Sequence, residues 1–369
     1  MAQKQPSELM MMKSLAFLAV VFQSSFMYIM SHGSPHPEEA IMIGMLFNFV
    51  KFSAPVFVFL AGFHMFQHNQ KLNYRTYIAH KGKELMLPYL FWSIVYLMMF
   101  SNETSITHLV KELIVGDAAP HLWYVVMIIQ FHLLAPLLLA FWAWGEKTIR
   151  SRGNFIMILA SAYVLLILLI SNYVLTTSPI HYIDRSFLSY SFYFFLGGIA
   201  AKTLPKWRNF VMKSIPINTF VFLALFTLVG YELLSFKNIF SIDLKASTYL
   251  KPSMVLYVTS EILLLYGLAM TIVQMKSPLY KILRFINRYT YGAYLSHLFF
   301  LYLLAAVIPK STLSIVQSFL LFIATTVVSI GCSYIVHSLP ISKFVIGLEQ
   351  EQRWSPQLVL LKNKKGVPR

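Results

Sequence analysis

Two unbroken apolar runs, FIMILASAYVLLILLI at 155–170 and SIVQSFLLFIATTVVSIGCSYIV at 314–336, restrict this chain to very few folds. A helix rises 1.5 Å per residue, so about 20 apolar residues cross a hydrocarbon layer of roughly 30 Å. Runs of this kind have no polar face to turn toward water. The rest of the chain agrees: 57% of its residues are hydrophobic and only 12% are charged, against roughly 25% charged in soluble domains. Mean hydropathy is +0.64. Barrel strands would alternate polar and apolar residues over stretches of about ten, and no such stretches occur. The expected fold class is all-α, a polytopic integral membrane helical bundle.

About ten transmembrane helices are predicted, at 10–30, 41–66, 84–100, 121–143, 154–172, 186–202, 214–234, 251–273, 289–308 and 312–338. The first is read as a span and not as a cleaved leader, because its apolar stretch is long and Ser31-His32-Gly33 is a poor cleavage signal. The connections alternate in charge. Fifteen Lys/Arg lie at one set of loops (67–83, 144–153, 203–213 and 274–288, with Lys202 at a helix end), against six at the alternate set. The positive-inside rule then puts both termini in the cytoplasm, which an even number of spans satisfies. The net charge of +16 is thereby assigned to topology, and nucleic acid is not expected as a partner. The domain plan is a transmembrane domain over 1–338 and a basic cytoplasmic tail over 339–369, expected along the inner leaflet.

Cys332 is the only cysteine, so no intramolecular disulfide forms and a thiolate metal site is disfavoured. His32, His36, Glu38 and Glu39 in SHGSPHPEE fall among turn residues with no ligand spacing, so no metal is expected. No G-x-S-x-G elbow marks a hydrolase.

A charged side chain at the bilayer centre costs about 2.5–3.5 kcal/mol or more, so each one needs a reason. Lys51 in FNFVKFSAPVFVFLAG and Glu261 in VLYVTSEILLLYGL each fall near mid-depth in their spans. His132 in MIIQFHLLAPLL and His297 in YTYGAYLSHLFFL come out at a similar depth, and so does Ser24 in MMKSLAFLAVVFQSSFMYIM. Lys13 shares a helix face with Ser24 but lies roughly 16 Å below it, at the cytoplasmic interface. Taken singly these residues have structural readings. Lys13 would be a snorkelling anchor, Lys51–Glu261 an interhelical ion pair, and each histidine or serine a packing residue with a cross-helix hydrogen bond. Five polar groups in one layer indicate a functional cavity.

Five stretches in order carry a resemblance: KFSAPVFVFLAG (51–62), RTYIAHKGKELMLPYLFW (75–92), HLWYVVMIIQFHLLAPLL (121–138), SFYFFLGGIAAK (191–202) and YTYGAYLSHLFFL (289–301). Together they resemble the acyltransferase 3 family of integral-membrane O-acyltransferases, in a form like the Gram-positive exopolysaccharide and intercellular-adhesin acyltransferases. The resemblance implies transfer of an acyl group, acetyl or succinyl, from cytoplasmic acyl-CoA to a hydroxyl of an extracytoplasmic glycan or lipid-linked sugar. It also implies a multi-pass protein of the bacterial cytoplasmic membrane, in contact with membrane lipid and with a polysaccharide synthase as a candidate protein partner.

The family's first helix normally carries Arg-x10-His as its proposed catalytic pair. Lys13 and Ser24 stand at those positions here. Lysine keeps a charge for a CoA phosphate but loses the guanidinium fork. Serine is no general base, though an adjacent base would make it a nucleophile. The implied roles are phosphate binding by Lys13, Arg75, Lys81 and Lys83, and a base at His297 or, second, His132. Lys51 would stabilise charge on the thioester oxygen, and Glu261 completes the candidate catalytic set. The competing reading is a catalytically degenerate member that binds or exports a glycan or lipid precursor.

Overall fold

Each stretch predicted to span contains an α-helix among the described residues. The computed structural model describes residues 6–33, 36–67, 74–101, 105–149, 151–176, 182–235, 241–242, 249–309 and 314–347. In chain order the helices are α1 (Ser7–His32), α2 (Pro37–Phe49), α3 (Ser53–Gln67), α4 (Tyr74–Phe100), α5 (Ile106–Val115), α6 (Trp123–Leu133), α7 (Ala135–Thr148) and α8 (Arg152–Thr176). Two 3-10 turns, Ile183–Arg185 and Phe187–Tyr190, lead into α9 (Ser191–Lys202). Then follow α10 (Leu204–Leu233), α11 (Pro252–Met275), α12 (Pro278–Ala305), α13 (Ile315–His337) and α14 (Ser342–Val345). The sheet among the described residues is one antiparallel pair of two-residue strands, Leu234–Ser235 with Ser241–Ile242.

Among the described residues, seven helical stretches are long and apolar enough to cross a membrane, and the bent pair α6–α7, taken as one span, makes an eighth. The two remaining predicted spans are helical but differ in kind. Helix α9 has 12 residues, roughly 18 Å at 1.5 Å per residue, and most of it is buried. Helix α12 has 28 residues but carries Lys281, Arg284 and Arg288 in its first half.

Helix α1 is the hub of the bundle, packed on α3, α11, α12 and α13. Its first turns are sealed: Leu9, Met11, Met12, Ala16 and Phe17 have no exposed surface. Helix α10, by contrast, turns large apolar side chains outward, with Ile217 73% and Phe220 74% exposed. In water such a surface would drive association, whereas lipid accepts it.

Two breaks shape the interior, and both follow from proline. Pro136 stands at the start of α7, where the chain bends by 59° from α6. Its ring cannot accept the preceding helical geometry, and it offers no N–H. The span Pro37–Gln67 is likewise interrupted at Val50–Phe52, four residues before Pro55. There Lys51 loses the carbonyl partner that a non-proline residue at 55 would supply. Unpaired backbone in a hydrocarbon layer is costly, and the bundle supplies side-chain donors. Gln23 Nε2 donates to the Val50 carbonyl at 3.0 Å, the Tyr249 hydroxyl to that of Lys51 at 2.8 Å, and the Tyr257 hydroxyl to that of Asn48 at 3.0 Å.

The closest helix pair is α3 with α9, made possible by two glycines. A Cβ on Gly62 would sit 2.0 Å from the Phe194 carbonyl oxygen, and one on Gly197 would sit 1.9 Å from that of Phe59. The two backbones therefore touch directly, the small-residue packing that membrane helices use.

Helix α14 packs back on α4 and α13. The Trp92 indole donates to the Val345 carbonyl at 2.9 Å, and Gly347, at φ +81°, adopts the left-handed conformation that glycine tolerates. Val345 is buried, so apolar burial and a desolvated hydrogen bond hold residues 342–347 in the bundle. The remainder of the predicted tail, 348–369, lies outside the described residues.

Candidate functional site

The turn of α12 that carries His297 is fixed by tyrosines. Tyr96 Oη on α4 donates to the Leu295 carbonyl at 2.7 Å and accepts the Phe299 N–H at 3.2 Å. The Tyr294 hydroxyl donates to the His121 carbonyl at 2.5 Å. Within α12 the Tyr294 carbonyl lies 2.6 Å from His297 Nδ1. A carbonyl oxygen only accepts, so Nδ1 carries the proton and, in the neutral ring, Nε2 presents a lone pair. Ser24 Oγ of α1 lies 3.1 Å from that Nε2, which makes the serine hydroxyl the donor. The result is a serine–histidine pair joining the hub helix to α12, with the imidazole itself wholly buried.

Ser24 lines a cavity of about 340 Å³. The cavity runs beside α1 from Val20 to His32, along the half nearer that helix's C-terminal end. Its polar lining includes Gln23, Lys51, Ser53 and His121, and its aromatic lining includes Tyr28, Trp123, Tyr124, Tyr249, Tyr294 and Tyr302. Lys51 sits at the helix break and is 6% exposed. Its ammonium lies 4.6 Å from the Phe47 ring centroid and 5.0 Å from that of Tyr249. Aromatic faces stabilise a desolvated cation by about 2 kcal/mol or more. Gln23 ties this arrangement together, since its Oε1 accepts the Ser53 hydroxyl at 3.0 Å while its amide holds the broken strand of backbone.

His121 completes the lining. Its ring centroid is 4.6 Å from that of His297, and its Nε2 lies 3.4 Å from the Leu295 carbonyl. Among the described residues Nδ1 has no hydrogen-bond partner. The predicted span begins at residue 121, and His121 is not among the residues that its depth singles out. The helix starts only at Trp123, and the preceding turn dips into the bundle, with Ala118, Ala119 and Leu122 all buried. Its one sequence signal was the neighbouring HLWYVV stretch.

The other predicted residues are dispersed. Glu261 of α11 is buried, but it does not line the cavity. Among the described residues its carboxylate oxygens have no hydrogen-bond partner and it forms no ion pair with Lys51. His132 is absent from the cavity lining; its Nδ1 lies 2.5 Å from the Tyr77 hydroxyl. Tyr77 and Tyr96 are separated along α4 by roughly 28 Å at 1.5 Å per residue, so His132 is not in the layer of His297. Helix α6 begins beside His297, where His121 lies, so His132 sits about 14 Å further along that helix and past the layer expected when depth is counted from residue 121. Lys81 pairs with Glu84 at 2.8 Å near the start of α4, with Arg75 and Lys83 exposed on the same helix. Lys13 is half-buried on α1.

A model of the acyltransferase domain that defines the acyltransferase 3 family matches residues 7–337, from the first residue of α1 to the last of α13. The chain belongs to that family. Neither the curated proteins nor the solved structures contain a match to the chain. Membership makes this a multi-pass membrane acyltransferase in general terms. Inside the matched range, Ser24 of α1 is hydrogen-bonded to His297 of α12.

Proposed function

We propose that this acyltransferase moves an acetyl or succinyl group from cytoplasmic acyl-CoA to a hydroxyl of an extracytoplasmic glycan or lipid-linked sugar, with Ser24 and His297 as the reacting pair. The observation that carries the reading is the 3.1 Å contact between the Ser24 hydroxyl and His297 Nε2 at the wall of the cavity. A neutral imidazole with its other nitrogen held by a carbonyl is the arrangement that general-base work requires. Lys51 contributes a cation at the same cavity, where developing negative charge on a carbonyl oxygen needs one. The aromatic lining offers apolar ring faces with polar tips, suited to one face of a sugar.

The reading includes a ten-span topology in the bacterial cytoplasmic membrane with both termini inside. On that topology the cavity opens toward the outer end of α1, the side of the acceptor. Arg75, Lys81, Lys83 and Lys13 lie toward the cytoplasmic ends of their helices, where CoA phosphates would meet them. No resident metal or prosthetic group takes part, acyl-CoA being a substrate. A membrane-bound polysaccharide synthase that delivers the acceptor is the fitting protein partner.

The test compares base-labile acyl esters on surface glycans and lipids, by mass spectrometry, in cells lacking this protein and cells re-expressing it. An ester that disappears and returns on re-expression supports the reading and identifies the acyl group. Identical ester profiles under several growth conditions would overturn it in favour of a role in binding or exporting precursors.

A further inference from the structure

We infer that acyl transfer here proceeds in two steps through an acyl ester on Ser24 Oγ. This rests on the acyl-transfer reading above and adds a covalent intermediate to it. The first observation is access. His297 has no exposed surface and does not line the cavity, while Ser24 does. The only lone pair of His297 faces the Ser24 hydroxyl at 3.1 Å, so a substrate meets the serine oxygen first. A base meant to act on the acceptor directly would instead show an open nitrogen to the cavity, which His297 does not.

The second observation is room. The cavity of about 340 Å³ sits at the low end of the roughly 300–1,000 Å³ that ligand pockets span. In the two-step reading the donor thioester arm and the sugar occupy it in turn, and acyl-Ser24 carries the acyl group from one to the other.

In the first step the Ser24 proton passes to His297 Nε2 as Oγ adds to the thioester carbonyl. The oxyanion forms at the cavity shared with the Lys51 ammonium. The carbon–sulfur bond then breaks, and the departing CoA sulfur takes the proton from Nε2, leaving acyl-Ser24 and free thiol. Acylation removes the hydroxyl hydrogen that occupied Nε2, so the histidine is open for the second step. The acceptor hydroxyl gives its proton to Nε2 and adds to the acyl-serine carbonyl. The carbon–Oγ bond breaks, Oγ recovers the proton, and the sugar ester leaves. His297 holds the proton between the halves of each step, and Nδ1 stays bonded to the Tyr294 carbonyl throughout.

The experiment uses the full chain in native-lipid membranes that contain acceptor, and then the purified chain without it. Isotope-labelled acetyl-CoA and succinyl-CoA serve as donors. The expected result with the donor consumed is a label on the peptide containing Ser24, together with exchange between acyl-CoA and labelled free CoA in the absence of acceptor. Ser24→Ala should abolish both label and exchange and lower transfer by at least about 10²-fold. Ser24→Cys should place the label on sulfur, removable by neutral hydroxylamine, which a merely structural residue would not do. Transfer retained in Ser24→Ala, or lost in His121→Gln with no label on wild-type Ser24, overturns the covalent step and leaves acyl transfer standing as direct. A wild-type chain that consumes neither donor, with acceptor-bearing membranes present, overturns both proposals.

Discussion

Substituting Gly197 by alanine tests the helix contact that positions one wall of the cavity. The added Cβ would fall 1.9 Å from the Phe59 carbonyl oxygen and 2.8 Å from the Phe63 nitrogen, both backbone atoms in a helix. Ordinary contact begins at 3.4 Å, so α3 and α9 must part by about 1.5 Å to remove the overlap. Neither backbone has a rotamer to give, so the cost belongs at the top of the overpacking range of about 1–3 kcal/mol, or above it. The same movement carries Ser53, Ala54 and Phe57, which line the cavity from α3. A misplacement near 1 Å is worth about 10²-fold in rate. The assay is thermal unfolding of the detergent-purified protein alongside acyl transfer. Gly331→Ala and Gly82→Ala are the controls, since a Cβ at either site meets nothing within 4 Å. Alanine is the better helix former by about 0.8–1.0 kcal/mol, so these controls should hold or gain Tm. A Gly197→Ala variant as stable and as active as the controls would refute the backbone contact and the reasoning built on it.

Three further outcomes follow from particular contacts. Gln23→Leu strands the Val50 carbonyl and the Ser53 hydroxyl at the helix break, and should cost about 1–3 kcal/mol in thermal unfolding while depressing transfer; full activity would deny the break a role in holding Lys51. His297→Ala should lower transfer by about 10²–10⁴-fold, whereas His132→Ala should lower it by less than about tenfold; equal losses would mean that the cavity beside Ser24 is not the reaction centre. Trp92→Phe removes the donor to the Val345 carbonyl and should cost about 1 kcal/mol, read as faster proteolysis after residue 337; an unchanged cleavage rate would show that α14 is held by other contacts.

The sequence determined the solvent for which this chain is built and the order of its helices. Apolar length is a property of the chain alone, and a bilayer leaves the backbone no alternative to internal hydrogen bonding. Hence the predicted stretches could be identified as helices, and the motif order from Lys51 to His297 carried the family. Polarity against depth also singled out Lys51, Ser24 and His297, because a buried polar group in lipid is expensive wherever it lies.

Which of those groups meet was decided only by the tertiary structure. Depth counted from the predicted span ends misses where each helix begins and breaks. Helix α6 starts beside His297, so His132 lies a further nine residues along it, against Tyr77, and Pro55 frees the Lys51 carbonyl for Tyr249 at the break where Gln23 holds the Val50 carbonyl. The turn before α6 brings His121 beside His297. Lys51 and Glu261, alike in depth, form no ion pair, because one faces the cavity and the other is sealed into the packing of α11. A one-dimensional pattern fixes how deep a residue lies and how costly its burial is. The azimuth of each helix, its bends and its neighbours are set by how all the helices pack together, and these brought Ser24 to 3.1 Å from His297.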